Sequence, residues 1–183
     1  MTLRDFLQAV AAIGAAAGGM EAAAEPVVDT WNGLVAFIVP GPDSYSVAQG
    51  VSTPEPGGID ANVTQALMAT MDLAAPVPRF SAIIAGLLNK LAAAVNPAAD
   101  GFARLAFAEK VAVFRIIDGD PALAPFALLP ALVAFLAYSE AGVFDPATQT
   151  LTGWPVGWTI TGYPGVADGR NDFKGYFQGR RKA

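Results

Sequence analysis

Apolar side chains recur at helical spacing through much of the second half of the chain. Phe80, Ile83, Ile84, Leu87, Leu88 and Leu91 fall at i, i+3, i+4, i+7, i+8 and i+11, which predicts an amphipathic helix. Residues 102–117 predict another, with Phe107, Val111 and Phe114 as its spine. Phe102, Val113 and Ile117 widen that apolar arc, so this helix is expected to be buried on more than one side. Residues 59–73 predict a third helix of moderate amphipathicity. Asp118-Gly119-Asp120-Pro121 ends one helix and starts the next, with Asp120 as N-cap and Pro121 at the first helical position. Residues 121–139 carry no formal charge, and that length suits a membrane span. Pro125 and Pro130 interrupt the run, however, and Asp118, Asp120 and Glu140 stand where anchoring Lys or Arg would belong. A central core helix, or one covered by a partner, is expected instead.

The remaining segments lack such periods. Residues 26–58 read as mostly irregular, with Val35-Ala36-Phe37-Ile38-Val39 as a candidate strand bounded by Pro40-Gly41-Pro42. Ser44 to Gly58 is turn chemistry, rich in Pro and Gly. At the other end, Gly153-Trp154-Pro155, Gly157-Trp158 and Gly162-Tyr163-Pro164-Gly165 break any helix or strand period. An ordered irregular segment is expected there, its rings buried on the chain's own body or on a partner. The fold class is therefore mainly α: a compact single domain over 1–183 with a helical body at 25–150. To it belong a long irregular Pro/Gly loop at about 40–58 and an irregular aromatic tail at 151–183.

Composition narrows the chemistry. Hydrophobic residues are 54% of the chain and charged residues 15%, against roughly 25% charged in ordinary soluble domains. So little charge coats a whole monomer poorly, which points to a buried partner interface, with a membrane contact as the competing explanation. The chain has no Cys and no His, which removes thiolate and imidazole catalysis, Cys-ligated zinc, iron–sulfur clusters and His-ligated haem. Residues 1–78 hold one cation, Arg4, against eight acids, whereas the last fourteen residues hold five of the eleven cations. An acidic body with a small basic tail argues against nucleic-acid binding. Asp118 and Asp120 are better explained by capping than by a metal. Asp168-Gly169-Arg170-Asn171-Asp172 lacks the acidic ladder and distal Glu of a calcium loop. No catalytic, cofactor-binding or metal-ligating residue is assigned.

Two resemblances give direction. Thr2, Arg4, Phe6 and Leu7, followed by an Ala/Gly run and Ala22-Ala23-Ala24, resemble a twin-arginine export leader with Leu3 in place of its first arginine. Residues 1–24 are therefore read as a relic leader retained as a helix. Trp158-Thr159-Ile160-Thr161-Gly162-Tyr163-Pro164-Gly165 resembles the C-terminal signature of the gluconate 2-dehydrogenase subunit 3 family. Pro56-Gly57-Gly58-Ile59-Asp60-Ala61-Asn62-Val63 and Phe102-Ala103-Arg104-Leu105-Ala106-Phe107-Ala108-Glu109-Lys110 are similar to two further family segments in the same order. Residues 26–53, Leu3 and the Asp168–Phe177 ending are less typical and suggest a divergent branch. The resemblance implies a noncatalytic small subunit that binds no cofactor itself. Its expected partner is a large FAD-containing sugar or alcohol oxidoreductase subunit of the glucose–methanol–choline type, with a cytochrome subunit as a further partner. Membrane contact would be indirect. The candidate interface residues are Trp154, Trp158, Tyr163, Pro164, Tyr176, Phe177 and Arg180, with the 40–58 loop as a second contact. The cytoplasm is the expected compartment, export by the twin-arginine route the alternative. A peripheral membrane or lipid-binding helical protein is the competing function.

Overall fold

The computed structural model describes residues 24–74, 77–145 and 147–163. Its helices are α1 (Ala24–Ile38), α2 (Ser44–Gln49), α3 (Val63–Ala74), α4 (Phe80–Val95), α5 (Phe107–Gly119), α6 (Leu129–Tyr138) and α7 (Val156–Thr161). Turns of 3₁₀ helix occupy Phe102–Arg104 and Ala124–Leu128. A two-residue hairpin pairs β1 (Phe144–Asp145) antiparallel with β2 (Thr150–Leu151). The mainly α expectation holds. Apart from Ala24, the leader-like segment lies outside the described residues.

Helix α1 is the centre of the fold. It touches α2, α3, α4, α6 and the 102–104 turn. Trp31, Leu34, Val35 and Ala36 are all fully buried, so α1 is covered beyond its apolar stripe of Val27, Trp31, Leu34, Val35 and Ile38. Five apolar residues in a row before Pro40 make Val35–Val39 resemble a strand in sequence, and the correction is plain: its first four residues are the last turn of a helix and Val39 follows it. Leu67 of α3, Ile84 and Leu88 of α4, Val113 and Ile117 of α5 and Val133 of α6 close around it in one core.

Polar groups fix the joints between helices. Asp72 of α3 accepts from the Ser81 backbone N–H (2.7 Å) and hydroxyl (3.0 Å), serving as a cap for α4 from another element. The Ser81 carbonyl in turn accepts from the buried Trp31 indole at 3.3 Å. Glu109 accepts from the Ala106 N–H at 2.8 Å and from the Asn96 amide at 2.8 Å, holding the start of α5 against the end of α4. Gly33 lets α1 approach the 102–104 turn, since a Cβ there would lie 2.6 Å from Ala103 Cα.

Several boundaries differ from expectation. Asp43 accepts from the Tyr45 and Ser46 N–H groups, both at 2.9 Å, and Gly50 takes a left-handed φ of 75°. These two caps build α2 inside what reads as an irregular loop. Helix α3 starts at Val63, after Asn62 at φ 53°, rather than at Ile59. Asp120 accepts from the Ala122 N–H at 2.9 Å and caps a turn, so the next helical segment begins at Ala124 and not at Pro121. The tail carries a helix too. Pro155 is the N-cap of α7 and Gly162, at φ 66°, its C-cap.

Two glycines separate packing from propensity. Gly33→Ala is expected to lower the unfolding free energy by about 1–3 kcal/mol in a denaturant melt, because its methyl meets backbone. Gly86→Ala, in α4 with nothing within 4 Å of the added carbon, is expected to raise it by about 0.5–1 kcal/mol.

Candidate functional site

Two regions of the surface bring functional side chains together. The first lies on α6 and α7. Helix α6 buries Leu129, Val133, Leu136 and Ala137. At 100° per residue its opposite side carries Leu128, Ala131, Phe135 and Tyr138. All four are exposed, Leu128 at 70% and Phe135 at 69%. This apolar side of a charge-free helix has no counterpart in the expected core helix.

Helix α7 abuts the end of α6 through Gly157, where a Cβ would lie 2.3 Å from the Ala137 carbonyl oxygen and 2.7 Å from Tyr138 backbone. Beside that contact stand three aromatic rings. Trp154 and Trp158 meet edge to face at 5.2 Å between centroids, and Trp158 meets Tyr163 the same way at 5.1 Å. The Trp154 indole donates to the Thr159 hydroxyl at 3.2 Å, and the Tyr163 N–H donates to the Trp158 carbonyl at 2.8 Å. These bonds order the rings without burying them: Trp154 is 58% exposed, Tyr163 is exposed and Trp158 half-buried. The structure thus brings together Trp154, Trp158 and Tyr163. Pro164, Tyr176, Phe177 and Arg180 lie outside the described residues. Leu128, Phe135 and Tyr138 are additions to the candidate set, and the signal for them was the i, i+7, i+10 apolar spacing in a run without charge.

The second region is a cleft of about 810 Å³ between the first turns of α1, α2 and the 100–104 segment. Asp29 is its centre. It accepts from the Tyr45 phenol at 2.5 Å and pairs with Arg104 at 3.2 Å. Burial, and then the bond to Asp29, raise the Tyr45 phenol above its ordinary pKa, so it is a neutral donor at neutral pH. The Asn32 amide donates to that phenol at 3.3 Å and accepts from Thr64 at 2.7 Å. Carboxylate, phenol and guanidinium satisfy one another, which suits a joint between elements better than acid–base catalysis. Among the described residues no three metal-ligating acids converge, and the 168–172 segment lies outside them.

Lys110 sits behind this cleft and was not singled out from sequence. It is fully buried, and with Val113 and Ile117 forms the true inner stripe of α5; Val111 and Phe114 are only partly covered and Phe107 is exposed. Its ammonium donates to the Gly33 carbonyl at 2.9 Å and the Ala103 carbonyl at 3.4 Å, and lies 5.0 Å from the centre of the Phe102 ring. Burial pushes its pKa down to about 7, with Asp29 raising it and Arg104 lowering it.

Compared with protein-family models, with curated proteins and with solved structures, the chain matches none. The site must be read from its own geometry.

The Lys110 environment gives a pH signature. In the unfolded chain a lysine ordinarily binds its proton up to about pH 10.4, whereas here it releases it near 7. Between these values the unfolded state holds more protons, so stability rises with pH. Chemical denaturation at pH 7 and pH 9 is expected to show a gain on the order of 1–2 kcal/mol at the higher pH. In Lys110→Met that gain is expected to disappear.

Proposed function

We propose that this chain is a noncatalytic small subunit that binds and stabilises a large FAD-dependent sugar or alcohol oxidoreductase subunit. The observation that carries this reading is the Trp154–Trp158–Tyr163 cluster, ordered by its own hydrogen bonds yet left against solvent. Rings pre-set in this way cost little further conformational entropy when a partner covers them. They also coincide with the segment that resembles the W…GYPG signature of the gluconate 2-dehydrogenase small subunits. The chemistry belongs to the partner: the flavin accepts the electrons there, and a cytochrome subunit takes them onward. This chain's residues supply binding surface. The leader-like residues 1–24 suit a role in maturation of the complex, with the cytoplasm as the proposed compartment and twin-arginine export as the alternative. Among the described residues no helix is long and apolar enough to cross a membrane.

Coexpression of the tagged chain with its neighbouring reading frames, followed by affinity purification and an absorbance spectrum, tests this directly. A copurified large chain with a flavin spectrum is the expected result, and a lone colourless chain would overturn the proposal. Trp154→Ala/Tyr163→Ala, which changes only exposed rings, is expected to keep the fold and cut recovery of the flavoprotein at least tenfold. That size follows from the roughly 2 kcal/mol or more lost when a central interface Trp is truncated.

A further inference from the structure

The exposed side of α6 is not simply apolar, because its surroundings carry charge of one sign. Asp118 and Asp120 precede the 124–138 helical run, and Glu140 and Asp145 follow it. The run is about 25 Å long at ordinary helical rises, so the acids stand at its two ends. From residue 116 to residue 163 there is no Lys or Arg at all. Among the described residues the Arg104–Asp29 contact is the only ion pair, so none of these four acids is neutralised by one. Leu128, Phe135 and Tyr138 therefore form an apolar strip with carboxylates at both ends that no cation among the described residues pairs, and α7 with its aromatic cluster abuts the strip's end at the Gly157–Tyr138 backbone contact.

We infer that this strip is a docking surface for a protein partner whose facing patch is apolar at its centre and carries Lys or Arg at its edges. A membrane and a second copy meet the same charges. An anionic membrane surface would be repelled by them. A second copy related by a two-fold axis would oppose the same acids to one another. A basic-rimmed protein surface gains at both ends while it covers the rings in the middle. The inference rests on the accessory-subunit reading for the partner's identity, but not for its chemistry. If both hold, the flavoprotein presents such a patch.

The test places a benzophenone amino acid at position 135 of the full-length chain in its producing cells, with position 93, exposed on α4, as the control. Irradiation is expected to give one protein adduct from position 135 and none from 93. Mass spectrometry then identifies the partner and the residue attacked. Asp120→Lys/Glu140→Lys is expected to lower the adduct yield at least tenfold, and 0.5 M salt in a fresh lysate to lower it severalfold. Thermal melts of both variants establish that they are folded. Overturning results are a lipid adduct, an adduct to a second copy, an adduct to residues 164–183 of the same chain, no adduct, or a protein adduct indifferent to charge reversal. A charge-sensitive adduct to a protein without flavin would leave the docking surface standing and remove the flavoprotein reading alone.

Discussion

Helix α1 passes against the 102–104 turn because position 33 has no side chain, and the whole fold is arranged around that crossing. Backbones this close leave room for few polar groups, and those present are ones that bridge. Lys110 reaches carbonyls on both sides, Gly33 and Ala103. Asn89 accepts from the Phe102 N–H at 2.9 Å and from the Thr30 hydroxyl at 3.1 Å. Asp29 holds Arg104 and Tyr45 at the rim. A buried ammonium with a depressed pKa is costly to desolvate, and its two carbonyl partners and the Phe102 ring face offset part of that cost. What the clamp supplies is one register between α1 and α5, in which a slide of a single turn would strand a charge.

The crossing also sets what faces outward. With α1 at the centre, α3 and α6 both pack on it and on each other. Helix α6 buries one half of its circumference against them. Nothing among the described residues covers the other half, and α7 packs only on its end. The same contrast separates the two surfaces described above. At the cleft, charges answer one another and the groups are satisfied. At α6–α7, the rings are ordered, largely exposed and flanked by charges that no cation among the described residues answers. A structural joint has the first character. The proposed docking surface has the second.

Much of this was legible in the sequence where a helix has one wet side. The Phe80–Leu91 stripe maps onto α4, and the 102–117 pattern onto the 3₁₀ turn and α5. The misread segments have specific causes. Helix α1 does carry a helical stripe, with Val27, Trp31, Leu34, Val35 and Ile38 at i, i+4, i+7, i+8 and i+11, but its end runs into five consecutive apolar residues before Pro40, and that run taken alone looks like a strand. In α2 and α7 the turn-forming residues are caps: Asp43 and Gly50 bracket one short helix, Pro155 and Gly162 the other. Lys110 is hidden because a lysine counts as a polar position in any hydrophobic pattern, although it stands three and seven residues before two buried core positions, Val113 and Ile117. The aromatic cluster was visible as composition. That its rings would face solvent rather than clamp the chain's own body depends on where α6 ends, which is a tertiary fact.

The central claim is that the α6–α7 side, and not the Asp29 cleft, is where this chain meets its partner. Hydrogen–deuterium exchange of the free chain and of the chain in its purified complex measures this most directly. The account predicts slower exchange in the complex over residues 128–138 and 154–163, with the 26–30 and 100–104 backbone unchanged. Protection centred on the cleft, with α6 and α7 exchanging as in the free chain, would contradict it.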